Sequence, residues 1–117
     1  MGIIIECNRK AILHCSNSLF DVLYQSIHNI IDEKNISSKK NLIYMLEEMD
    51  QDLHGLGAID IDIADYLKIQ SDVQCFANLV KEAIEREKEI NPFSLEAEER
   101  LWDFHKELIK YGQELRS

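Results

Sequence analysis

The sequence predicts an all-α fold, a single-domain bundle of five or six helices, on three observations. Apolar residues recur at intervals of three and four through most of the chain. Residues that cap or break helices fall between these stretches and leave short connections. No self-similar period points to a repeat architecture. With 117 residues, an apolar fraction of 45% and only one Pro and four Gly, the chain has the length and composition of one globular domain spanning residues 1–117, without a low-complexity linker.

The first seventeen residues are the least regular. Ile3-Ile4-Ile5 is rich in β-branched side chains, and Ala11-Ile12-Leu13-His14-Cys15 is either its hairpin partner across Asn8-Arg9 or a short helix. The helix suits the all-α plan better. Leu19, Val22, Leu23, Ile27, Ile30 and Ile31 then mark a helix from about Ser18 to Lys34, with Ser18 and Asp21 as a capping signature. Asn35-Ile36-Ser37-Ser38 breaks the pattern, because these side chains compete for backbone hydrogen bonds. Leu42, Leu46, Met49 and Leu53 define a second helix from about Lys39 to Leu53, ended by Gly55 and Gly57.

The stretch Ala58-Ile59-Asp60-Ile61-Asp62-Ile63 alternates as a half-buried strand would, but a lone strand among helices leaves its backbone unpaired. A short helix from about Asp62 to Ile69, capped by Asp60 or Asp62 with Ile63, Tyr66 and Leu67 inward, is therefore preferred. Ser71 and Gln74 read as a capping box for a helix reaching about Glu89 through Val73, Phe76, Val80, Ala83 and Ile84. Asn91-Pro92-Phe93-Ser94 stops one helix and starts the next, since Pro92 disfavours helical geometry at Asn91 and Ser94 can cap the helix after it. The last helix, about Leu95 to Leu115, carries Leu101, Phe104, Leu108 and Tyr111 inward, and Glu96, Glu98 and Glu99 complement the positive end of its dipole.

Charge carries most of the functional information. The chain holds 22 acidic and 13 basic side chains, a net −9, which argues against binding a phosphate backbone. The acidity is concentrated: Glu47, Glu48, Asp50, Asp52, Asp60, Asp62 and Asp65 occupy nineteen consecutive residues that contain no Lys or Arg. The flanking regions are nearly balanced. Such a stretch is either a solvated face that favours solubility or the complement of a basic protein partner. Tyr44 and Tyr66 flank it, and tyrosine beside carboxylates is a residue mix that anchors interfaces.

Other chemistry is poorly supported. Asp50-x-Asp52-x-His54-Gly55 imitates the opening of a calcium loop, but position twelve is Ile61 where a bidentate Glu is needed. The four histidines are scattered, and Cys7, Cys15 and Cys75 form neither a C-x-x-C pair nor a disulfide framework. No phosphate loop or nucleophile elbow is present, so no cofactor, metal or catalytic residue is expected, and the chain reads as a non-enzyme. The N-terminal residues lack the basic head and long apolar run of a signal peptide, and no run approaches the roughly 20 apolar residues of a membrane helix, so a cytoplasmic protein is expected.

A small acidic chain with this helix plan, and with the fragments Asn41-Leu42-Ile43-Tyr44 and Asp65-Tyr66-Leu67, resembles the immunity proteins of bacterial toxin–immunity systems, those of contact-dependent growth inhibition and of the nuclease colicins. The resemblance implies an antitoxin that binds one cognate toxin domain, a basic nuclease, and occludes its active site stoichiometrically. The seven acids would then meet the lysines and arginines that hold substrate phosphates, with Tyr44 and Tyr66 as anchors. The competing expectation is a non-catalytic helical adaptor or regulatory subunit that docks through an apolar helix face.

Overall fold

The computed structural model describes residues 2–36, 38–55 and 57–115, and it overturns the all-α expectation. The fold is mixed. Two strands, β1 (Gly2–Cys7) and β2 (Lys10–Ser16), precede two helices, α1 (Asn17–Lys34) and α2 (Lys40–Gly55). A third strand, β3 (Ile59–Asp62), runs into a 3₁₀ turn over Ile63–Asp65, and α3 (Gln70–Ile90) and α4 (Leu95–Glu114) complete the described chain. The sheet order is β2-β1-β3, with β1 antiparallel to β2 and parallel to β3.

The physical reason for the correction is long-range pairing. Ile59-Asp60-Ile61-Asp62 does alternate as a strand, and its partner is β1 at the start of the chain, with Ile3 opposite Ile59 and Ile5 opposite Ile61. The short helix expected from Asp62 to Ile69 is therefore replaced by the end of a strand and a single 3₁₀ turn. Residues 2–16 take the hairpin alternative rather than the helix. Asn8 and Arg9 form the two-residue loop, both with positive φ (53° and 68°), the geometry of the mirror-image turn that matches strand twist. A bulge between Ile5 and Glu6 shifts the register, because Ile5 faces Leu13 whereas Glu6 faces Ala11.

The sheet buries one face only. Ile3, Ile5, Leu13, Cys15, Ile59 and Ile61 point into the core, while Ile4, Glu6, His14 and Asp60 alternate outward. The helices supply the rest of the core much as the spacing predicts. Leu23, Ile27 and Ile30 from α1 and Leu42, Met45 and Met49 from α2 are buried, as are Val73, Val80 and Ile84 from α3. Phe76 and Phe104 meet edge to face at 6.1 Å between α3 and α4. Gly112 allows those helices to approach, since a Cβ there would lie 3.3 Å from Val73 Cγ1.

The caps differ in detail from expectation. Ser16, not Ser18, caps α1 by accepting from the Leu19 N–H, and α3 has no side-chain cap although Ser71 and Gln74 suggest one. Ser94 caps α4 as expected, accepting from the Ala97 N–H. Among the described residues, no helix is long and apolar enough to cross a membrane.

Candidate functional site

Helix α2 lies at the edge of the fold and is the element around which the acidic stretch is arranged. Its apolar stripe, Leu42, Met45, Leu46, Met49 and Leu53, is buried, which leaves Tyr44, Glu47, Glu48, Gln51 and Asp52 toward solvent. Tyr44, Glu48 and Asp52 follow at i, i+4 and i+8, one ridge of the helix. The 3₁₀ turn after β3 brings Tyr66 against this ridge. Ile63 and Leu67, both fully buried, anchor the turn, and the Leu67 N–H donates to the Ile63 carbonyl at 2.8 Å.

The result is a small cluster. The Tyr44 and Tyr66 rings lie 5.7 Å apart at 52°, and the Tyr44 hydroxyl donates to Glu48 Oε1 at 2.9 Å. That hydrogen bond, with the Glu48 charge, raises the Tyr44 phenol above its ordinary range. Partial burial, and then the charges of Glu48, Asp52 and Asp65, raise Tyr66 likewise. Both phenols therefore stay protonated as donors at neutral pH, and Tyr44 is more than half exposed (55%). The arrangement offers two flat aromatic faces rimmed by three carboxylates.

The structure does not gather all nine residues singled out by sequence into one surface. Tyr44, Glu48, Asp52, Asp65 and Tyr66 come together. Glu47 and Asp50 turn toward α1, where they line a recess with Tyr24 and His28, and Asp50 Oδ1 lies 2.9 Å from His54 Nδ1. Asp60 stands on the open face of the sheet beside Glu6, whose carboxyl is held above its ordinary range first by a hydrogen bond with the Asp60 side chain. Asp62 has an intramolecular role. Its carboxylate accepts from the N–H groups of Asn8 at 3.0 Å, Arg9 at 2.6 Å and Ala64 at 2.9 Å, tying the hairpin turn to the end of β3.

Elsewhere, some of the acids are held in ion pairs. On α1 and α3, Glu33 and Glu82 share Arg86 at 2.8 and 2.6 Å, and Lys34 bonds Glu82 at 2.7 Å. Lys88 meets Glu98 at 3.0 Å, and Arg100 meets Glu96 at 2.7 Å. Among the described residues, no Lys or Arg lies within 4.0 Å of Glu47, Glu48, Asp52, Asp60 or Asp65.

A crevice that no motif of the sequence marks lies between α1 and α2. Ile27, Ile31, Ile36, Ile43 and Leu46 line a cavity of about 310 Å³, with Asp32 and Glu47 also at its boundary. The only signal for it is the pair of isoleucines, Ile36 and Ile43, that sit off the main apolar stripes. Burial pushes the Cys7 and Cys15 thiols up to about 11 and raises Cys75 as well. Among the described residues, no group of three or more His, Cys, Asp or Glu is placed to hold a metal ion. No family model, curated protein or solved structure matches the chain.

Proposed function

We propose that this chain is a stoichiometric binding protein for a basic protein partner, an immunity protein that neutralises a toxin domain, with the ridge of α2 and the adjoining 3₁₀ turn as its contact surface. The observation that carries the proposal is the meeting of Glu48, Asp52 and Asp65 around Tyr44 and Tyr66, within nineteen residues that contain no Lys or Arg. Unpaired carboxylates raise the local negative potential, which speeds encounter with a cationic surface, and tyrosines supply contact area at low entropic cost. A basic nuclease fits because the lysines and arginines that hold its substrate phosphates would be neutralised by the same carboxylates. Occlusion of this kind requires complementarity and no turnover.

The reading is tested by co-expressing the chain with the product of the neighbouring reading frame. Relief of growth arrest by the native chain, and its loss in a Glu48→Lys, Asp52→Lys, Asp65→Lys variant with unchanged helical signal, is the expected result. A product that arrests growth equally with either version removes this surface from the interface. A product that neither arrests growth nor co-purifies with the chain removes the immunity function.

A further inference from the structure

The α1–α2 crevice has an apolar interior and an acidic mouth. Its walls are Ile27 and Ile31 from α1, Ile43 and Leu46 from α2, and Ile36 from the turn between them. The Tyr24 hydroxyl donates to the Leu46 carbonyl at 3.1 Å, so the one hydroxyl on its lining is satisfied inside the protein. Apolar walls facing water lose both dispersion contacts and hydration free energy, and an entering apolar side chain restores both. Past Tyr24, His28 and Glu47 the crevice leads into a second recess of about 570 Å³ that is also lined by Gln25, Asp50 and Gln51. Three carboxylates, Asp32, Glu47 and Asp50, thus border the two recesses, and among the described residues no Lys or Arg does.

Spacing along α2 fixes what would fit. Ile43, Glu47 and Asp50 follow at i, i+4 and i+7, so the crevice wall changes from apolar to acidic within one helical turn. A partner helix lying along α2 would present an apolar residue and, three or four positions on, a cation at the same rise. A second copy of this chain is a poor occupant, because each carries a net charge of −9.

We propose that the α1–α2 crevice seats a basic amphipathic helical segment of the protein partner, with an apolar side chain between Ile31 and Ile43 and a lysine or arginine one turn away against Glu47 and Asp50. The proposal rests on the basic partner of the proposed function and adds its mode of docking: helix in groove, with apolar anchor and cation at helical spacing.

The test is a titration of the isotope-labelled full chain, followed by amide chemical shifts, with three synthetic helical peptides of equal length. One has an apolar leucine face and a lysine face, one replaces every leucine by serine, and one replaces every lysine by glutamate. The leucine–lysine peptide is expected to bind at least tenfold more tightly than the others and to shift Ile27, Ile31, Ile43 and Glu47. Glu47→Lys should weaken it about tenfold and Ile43→Glu should abolish it, with the circular dichroism of both variants native. Glu47 is exposed, so its variant keeps the test decisive if Ile43→Glu unfolds the chain. Equal binding of the serine–lysine peptide, mapped to Glu48, Asp52 and Asp65, overturns the crevice and leaves the acidic surface standing. Failure of both lysine peptides at low salt overturns the two together. Concentration-dependent crevice shifts without peptide identify a second copy as occupant and overturn the proposal.

Discussion

Asp62→Ala isolates the acid of the stretch whose carboxylate holds backbone N–H groups. Its carboxylate accepts three backbone N–H groups, from Asn8, Arg9 and Ala64, and the first two belong to a turn that is exposed. Released N–H groups at the turn regain water, so each of those bonds contributes about 0.5 kcal/mol, while the bond to Ala64 caps the 3₁₀ turn and contributes about 1 kcal/mol. The expected loss is about 2 kcal/mol. With an unfolding entropy of about 2.1 cal/mol/K per residue, a chain of this length loses about 8 °C in Tm. Urea and thermal unfolding followed by far-ultraviolet circular dichroism read the change directly. Asp60→Ala is the internal comparison, because Asp60 lies two residues away on the same strand and holds no backbone group; it should be neutral or slightly stabilising. A loss below about 0.5 kcal/mol for Asp62→Ala, or an equal loss for Asp60→Ala, would refute the assignment.

Three further outcomes rest on the same geometry. Arg9 sits at φ 68° in a turn that favours glycine, so Arg9→Gly should stabilise the chain by about 1 kcal/mol, and an unchanged or lowered urea midpoint would contradict the turn. Glu6 has a raised carboxyl in the folded state, through Asp60 and then Asp62, so the folded chain binds that proton more tightly than the unfolded one, and stability from this group is gained as pH falls through the raised value. Glu6→Gln should therefore be more stable than the native chain near pH 7 and lose that advantage toward about pH 4; a difference independent of pH would count against the Glu6–Asp60 contact. Native protein at about pH 8 should be alkylated by iodoacetamide at Cys75 before Cys7 or Cys15, which are more deeply buried; mass spectrometry showing Cys15 reacting first would contradict the packing of β2.

Legibility in the residues divides along the range of the interactions involved. Helix periodicity is local, so α1, α2, α3 and α4 appear at nearly their true bounds, and Ser94 as a cap follows from its own neighbourhood. Strand identity depends on a partner. Ile59–Asp62 shows its alternation plainly, yet whether that pattern becomes a strand is decided by Gly2–Cys7, and Ile3-Ile4-Ile5 conceals its own alternation because Ile4 is an apolar residue on the open face. The candidate site follows the same division. Tyr44, Glu48 and Asp52 share a ridge by spacing alone, whereas the meeting of Tyr44 with Tyr66 requires the turn after β3. Nothing local distinguishes Asp62, which serves the hairpin, from Asp60, which does not.

The parallel pairing of β1 with β3 also bears on how the chain reaches this state. Ile3 and Ile59 meet across the segment that holds β2, α1 and α2, and closing so long a segment costs more chain entropy than closing the two-residue hairpin. Non-local pairing of this kind slows folding. The hairpin is then the early event and the docking of β3 the late one, so Arg9→Gly should speed refolding while Asp62→Ala should chiefly speed unfolding. Refolding slowed by Asp62→Ala as much as the equilibrium is weakened would place β3 in the transition state instead. On the expected order, the α2 ridge and Tyr66 come together only at the last step, and a chain caught before it would present the acids without the site.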